Sequence, residues 1–65
     1  MINPELSDPV YHVLKENVGA AKQFTNLMLA IYDEEVLGEE LHYNIVRADD
    51  ELGAALNRIE YQHGD

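Results

Sequence analysis

The chain contains no cysteine and no tryptophan, and only four of its 65 residues are lysine or arginine. Without cysteine there is no disulfide to reinforce a small fold, no thiolate nucleophile and no thiolate metal ligand. The absence fits a reducing compartment, and a cytoplasmic location is expected. Long hydrophobic runs are also missing: the longest apolar stretch, Leu27 to Tyr32, falls far short of the ~20 residues of a membrane-spanning helix. The opening Met1-Ile2-Asn3-Pro4-Glu5 lacks the basic region and apolar core of a secretory leader, so none is expected. Bases are scarce. Thirteen acids against four bases give a formal charge of −9, which repels nucleic acid and anionic membrane and favours neither as a partner. A basic protein partner remains compatible with that charge.

Catalytic signals are equally sparse. Ser7 and Thr25 are the only aliphatic hydroxyls, neither lies in a nucleophile motif, and no glycine-rich phosphate loop is present. A short helical chain also offers little room for a concave pocket. No catalytic residue and no cofactor are assigned, and a non-enzymatic protein is expected.

What is present is helical periodicity. A chain of 65 residues makes one domain, and one this small buries only about 60% of the surface of its unfolded form. Such domains are usually reinforced by disulfides, a metal or oligomerisation. The first helix opens near Asn3-Pro4-Glu5 or Ser7-Asp8-Pro9, where a capping residue precedes a proline suited to the first turn. It is expected over about residues 8–33. Its apolar repeat is Val10, Leu14, Ala21, Phe24, Met28 and Ile31, interrupted by Asn17, in the steps of three and four of a packed helix. Gly19 is its weak point. A bend is placed at about 34–38: Asp33-Glu34-Glu35 is unfavourable at a helix C-terminus, and Gly38 suits a turn. The second helix, about 39–62, starts with Glu39 and Glu40. It repeats Leu41, Ile45, Ala48, Leu52, Ala55 and Ile59, a heptad seam whose small residues permit close approach.

Two helices joined by a short turn lie antiparallel. The expected fold is therefore all-α, an antiparallel helical hairpin that pairs into a dimeric four-helix bundle. The alternative is a three-helix monomer broken near Gly19. The dimer is favoured because the second half of helix 1 is apolar almost all round. Leu29 points more than 90° from Phe24 and Ile31, so one partner helix cannot cover all three. A second copy related by a two-fold axis is the simplest cover. Phe24, Leu27, Met28, Leu29 and Ile31 are the expected dimer interface.

Three further patterns compete with a reading as ordinary solvated surface. Glu39 with His42, and Glu60 with His63, have the Glu-x-x-His spacing of di-iron bundles, and His12 and Glu16 would lie level with the second pair. His12 falls on the exposed side of helix 1, however, and solvated polar residues are the preferred reading; no metal ligand is assigned. The acidic runs Asp33-Glu34-Glu35, Glu39-Glu40 and Asp49-Asp50-Glu51 invite comparison with a nucleic-acid phosphate row, and hence with an inhibitor of a DNA-binding protein. Charge runs are more commonly solvated helix faces. The third pattern is more specific. Opposite the seam of helix 2 lie Tyr43, Arg47, Asp50, Ala54, Arg58 and Tyr61. Half of the basic residues and half of the four tyrosines share this line, and Tyr and Arg are enriched at binding hot spots. Tyr43, Arg47, Arg58 and Tyr61 are the candidate partner-binding residues, against the simpler reading of surface pairs along one helix.

In length, acidity and an alanine-containing seam, the chain resembles the Rop family of small plasmid proteins. Their helical hairpins dimerise into four-helix bundles and bind RNA. No residue motif is shared, so no functional residue is implied, and a likeness in fold does not carry function. The functional expectation is a small interaction or regulatory module that binds a macromolecule, a protein in preference to any other, through exposed helix faces.

Overall fold

The computed structural model describes residues 4–64, so the alternative helix start at Asn3 lies outside the described residues. Ser7 is extended, and its carbonyl accepts the Tyr11 N–H at 2.8 Å. Pro9 sits in the first turn, where its missing N–H costs no hydrogen bond. Helix α1 (Asp8–Ile31) runs unbroken through Gly19, so the expected alternative of a chain broken there is not adopted. A mid-helix glycine costs about 1 kcal/mol relative to alanine, too little to interrupt the flanking Val18, Ala20 and Ala21. The helix stops at Ile31, two residues short of the expected 33, because Tyr32 turns extended.

The turn is itself organised. The Asp33 carboxylate accepts the Val36 N–H at 3.1 Å and caps a single helical turn, α2 (Glu34–Leu37). Asp33 therefore serves the start of α2 and does not burden the end of α1. Gly38 closes the turn at φ 84°, in the left-handed region where a side chain costs about 1–2 kcal/mol. Helix α3 (Glu39–Gln62) follows at once. No strand occurs among the described residues, and no described helix is long and apolar enough to cross a membrane.

Helices α1 and α3 pack antiparallel. Tyr11, near the start of α1, meets Glu60 near the end of α3, and Lys22 meets Asp49 further toward the turn. The body measures 43 × 24 × 14 Å. Its smallest dimension is little more than one helix diameter of about 10–12 Å, so the hairpin is a single layer. Domains ordinarily need two layers to enclose a core. Accordingly only Tyr11, Thr25 and Ile59 are buried among the described residues.

The seam between the helices carries polar contacts at two levels among half-buried apolar residues. On α1 it follows Tyr11, Lys15, Val18, Lys22, Thr25 and Leu29. At the turn-proximal end Lys22 Nζ lies 3.0 Å from Asp49 Oδ2, and the Thr25 hydroxyl donates to Asp49 Oδ1 at 2.5 Å. Gly53 faces the Lys22 stem, and a Cβ there would stand 3.5 Å from Lys22 Cε. At the open end Tyr11 Oη donates to the Glu60 carboxylate at 2.9 Å and accepts from Lys15 Nζ at 3.1 Å. The His63 ring stacks on Tyr11 with centroids 3.7 Å apart, and its Nε2 lies 2.7 Å from Asp8 Oδ1. Gln62 ties down the N-terminal segment: its side chain donates to the Pro4 carbonyl at 3.0 Å, and its carbonyl accepts the Leu6 N–H at 2.8 Å.

Candidate interaction faces

The seam fixes which way every other residue points. The apolar repeat of α1, Val10, Leu14, Ala21, Phe24, Met28 and Ile31, stands one position before the seam residues, about 100° around the helix. The repeat of α3, Leu41, Ile45, Ala48, Leu52 and Ala55, also stands one position before its own seam residues, such as Asp49, Gly53 and Glu60. On antiparallel helices these two offsets fall on the same side. Reversing the chain direction reverses the sense of rotation, and the second helix also views the seam from the opposite direction, so the two reversals cancel. The stripes therefore share one broad face of the hairpin.

That face is uncovered along α1. Phe24 is 64% exposed and Ile31 60%, and Val10, Val13, Leu14, Met28 and Leu41 are also exposed, while Leu27, 54% exposed, points outward beyond the edge of this face. Ile45, Leu52 and Ala55 are half-buried, and Ile59 is buried. The α3 stripe borders the contact through Ile45, Leu52, Ala55 and Ile59, whereas the α1 stripe lies beside it; Tyr11, Lys22, Thr25, Asp49 and Gly53 share the contact with the half-buried Val18 and Leu29. Of the five residues expected at a dimer interface, Phe24, Leu27, Met28 and Ile31 are exposed, while Leu29, four residues beyond Thr25 on the seam, is half-buried. The accessible surface gives the same picture. A compact monomer of 7.4 kDa has about 4,200 Å² by size scaling. The hairpin has 5111 Å², an excess of about 900 Å², close to the ~800 Å² per partner of a standard interface.

The opposite face is polar. Residues one position after the seam include His12, Glu16, Gln23 and Asn26 on α1, and Tyr43, Arg47, Asp50, Ala54, Asn57 and Tyr61 on α3, with Arg58 at its edge. The four candidate partner-binding residues lie here, all exposed, Tyr61 at 74% and Tyr43 at 61%. Arg47 Nε lies 3.4 Å from Glu51 Oε1, with both side chains about two-thirds exposed, a pair of little energetic weight. Ala54, Asn57, Arg58 and Tyr61 line a shallow hollow, and Tyr43 borders another with Glu34, Glu39, Glu40, His42 and Val46.

The Glu60–His63 pair is engaged elsewhere. Glu60 is held by Lys15 and Tyr11, His63 by Asp8 and Tyr11. Among the described residues no three His, Asp or Glu side chains converge as a metal site. The carboxylates of the seam are tuned by their donors. Hydrogen bonds from Thr25 and then Lys22 hold Asp49 below the usual carboxylate range. Lys15 and then Tyr11 do the same for Glu60, and His63 for Asp8. Hydrogen bonds with Tyr11 and Glu60 raise the Lys15 ammonium above its ordinary value.

Sequence reasoning missed the seam, although a signal for it exists. Tyr11 and Lys22 are as far apart on α1 as Asp49 and Glu60 are on α3, so antiparallel helices bring both polar pairs into register together. Comparison with family models, curated proteins and solved structures returns no match to this chain.

Proposed function

We propose that this protein is a non-enzymatic interaction module of the cytoplasm: a homodimeric four-helix bundle that binds another protein through its outward helix faces. One observation carries the reading. The large apolar side chains of α1 lie bare on a single broad face, while the Tyr–Arg line of α3 occupies the opposite one. Exposed apolar patches of this kind mark association surfaces. A second copy laid on the apolar face supplies the missing layer and leaves both Tyr–Arg faces outward. Tyr and Arg there offer broad, rigid contact area and bidentate donors to a protein surface.

The two halves of this reading are tested separately. Sedimentation equilibrium at micromolar concentration is expected to give twice 7.4 kDa; a monomer mass rejects the dimer. A Tyr43→Ala plus Arg58→Ala variant is expected to lose its partner in a pull-down from the native cell while keeping the dimer mass. Undiminished capture of the same partner rejects the Tyr–Arg face.

A further inference from the structure

We infer that the second copy docks on the apolar face with its Glu34–Leu37 turn at the far end of the bundle. A two-fold axis then crosses between the copies at the level of Ala21 and Leu52. This rests on the homodimer reading above and deepens it. The level follows from the seam. Tyr11 stands beside Glu60 and Lys22 beside Asp49, which puts Ala21 and Leu52 within about 3 Å of one level, on either side of a point about midway along both helices.

Side-chain size separates the two possible orientations. By the same register, Phe24 is level with Ala48 on the turn side of this midpoint, and Asn17 is level with Ala55 equally far on the other side. If both turns lay at one end, each layer of the bundle would repeat its own residues. One layer would hold two Phe24 and two Ala48. Another would hold only two Asn17 and two Ala55, leaving a gap that packed interiors do not tolerate. With the turns at opposite ends, Phe24 of one copy falls in the layer of Asn17 and Ala55 of the other. Both layers then become alike, each with one large ring among three small side chains. The exposed Phe24 ring projects into the space that the small residues leave.

Charge acts in the same direction. Asp33, Glu34, Glu35, Glu39 and Glu40 crowd the turn, and no lysine or arginine occurs between Lys22 and Arg47. Turns at one end would set ten carboxylates side by side. At the open end, Glu60 and Asp8 already have Lys15 and His63 as partners.

The chain has no cysteine, so a single nitroxide can be attached at Glu35→Cys, an exposed position in the turn. Pulsed dipolar spectroscopy then reads the turn-to-turn distance in the dimer. Turns at opposite ends are separated by at least the length of a 24-residue helix, about 36 Å at 1.5 Å per residue, and a distance near 40 Å is expected. Turns at the same end would lie within two helix diameters, under about 25 Å. A short distance in a sample of dimer mass overturns the orientation and leaves the dimer standing. A monomer mass by sedimentation, with no dipolar coupling, overturns the dimer reading and the orientation with it.

Discussion

Phe24→Ala distinguishes a surface phenylalanine from an interface one. In the isolated hairpin the ring is 64% exposed, and truncating a side chain so exposed changes stability by no more than about 0.5 kcal/mol. In the dimer the same surface is covered. A phenylalanine presents about 200 Å², so roughly 130 Å² per copy leaves water on association. At about 25 cal/mol per Å² this amounts to about 3 kcal/mol, and allowing for the retained Cβ, truncation costs about 2–3 kcal/mol per copy. Two copies contribute about 4–6 kcal/mol, which raises the dissociation constant about 10³- to 10⁴-fold. In sedimentation equilibrium over about 1–100 µM, a micromolar wild-type dimer is then expected to give way to a variant of monomer mass. Tyr61→Ala is the matched control: its ring is 74% exposed but lies on the opposite face, so the dissociation constant is expected to hold. A Phe24→Ala dimer as tight as the wild type, or one weakened equally by Tyr61→Ala, would refute the placement of the interface.

Two further predictions concern the hairpin itself. A Cβ at Gly19 meets nothing within 4 Å, so Gly19→Ala is expected to stabilise by about 0.5–1 kcal/mol, raising Tm by about 2–8 °C; a lowered Tm in a circular-dichroism melt would contradict a continuous α1. Asp49 is held below the usual carboxylate range by Thr25 and Lys22, so its contribution is present above the unfolded value of about 4 and lost as pH falls through the depressed folded value. The Tm gap between wild type and Asp49→Asn is therefore expected to be open at pH 7 and to close in strong acid, and a gap that stays constant with pH would count against the assignment.

The helices were legible in the sequence because their apolar repeats have a period near 3.6, and the turn was legible because only glycine sits easily where Gly38 lies. The stripes were legible too, and so was apolar surface on α1 that one hairpin does not cover, at Phe24, Leu27, Met28 and Ile31. The side of α1 that meets α3 was not legible, since the most apolar line is ordinarily the most closely packed. Here α1 adjoins α3 through Lys22, Thr25 and Tyr11, and its most apolar line lies on a different side. Single-helix periodicity gives the width and direction of a stripe but not which neighbour lies against it. The matched polar spacing on the two helices carries that information, and it is visible only when both are considered together. The Tyr–Arg line was easier to place, because a line opposite an apolar stripe faces away from it whichever neighbour the stripe meets.

The one-residue offset between seam and faces has a consequence for how such a protein can change. Alignment of the two helices rests on Tyr11, Lys22, Thr25, Asp49 and Glu60, while the broad faces are made of other residues altogether. A substitution at Phe24 or Tyr43 leaves every link between the helices in place. Selection can therefore rewrite either broad surface, and with it the set of molecules recognised, while the hairpin that displays it is inherited unaltered.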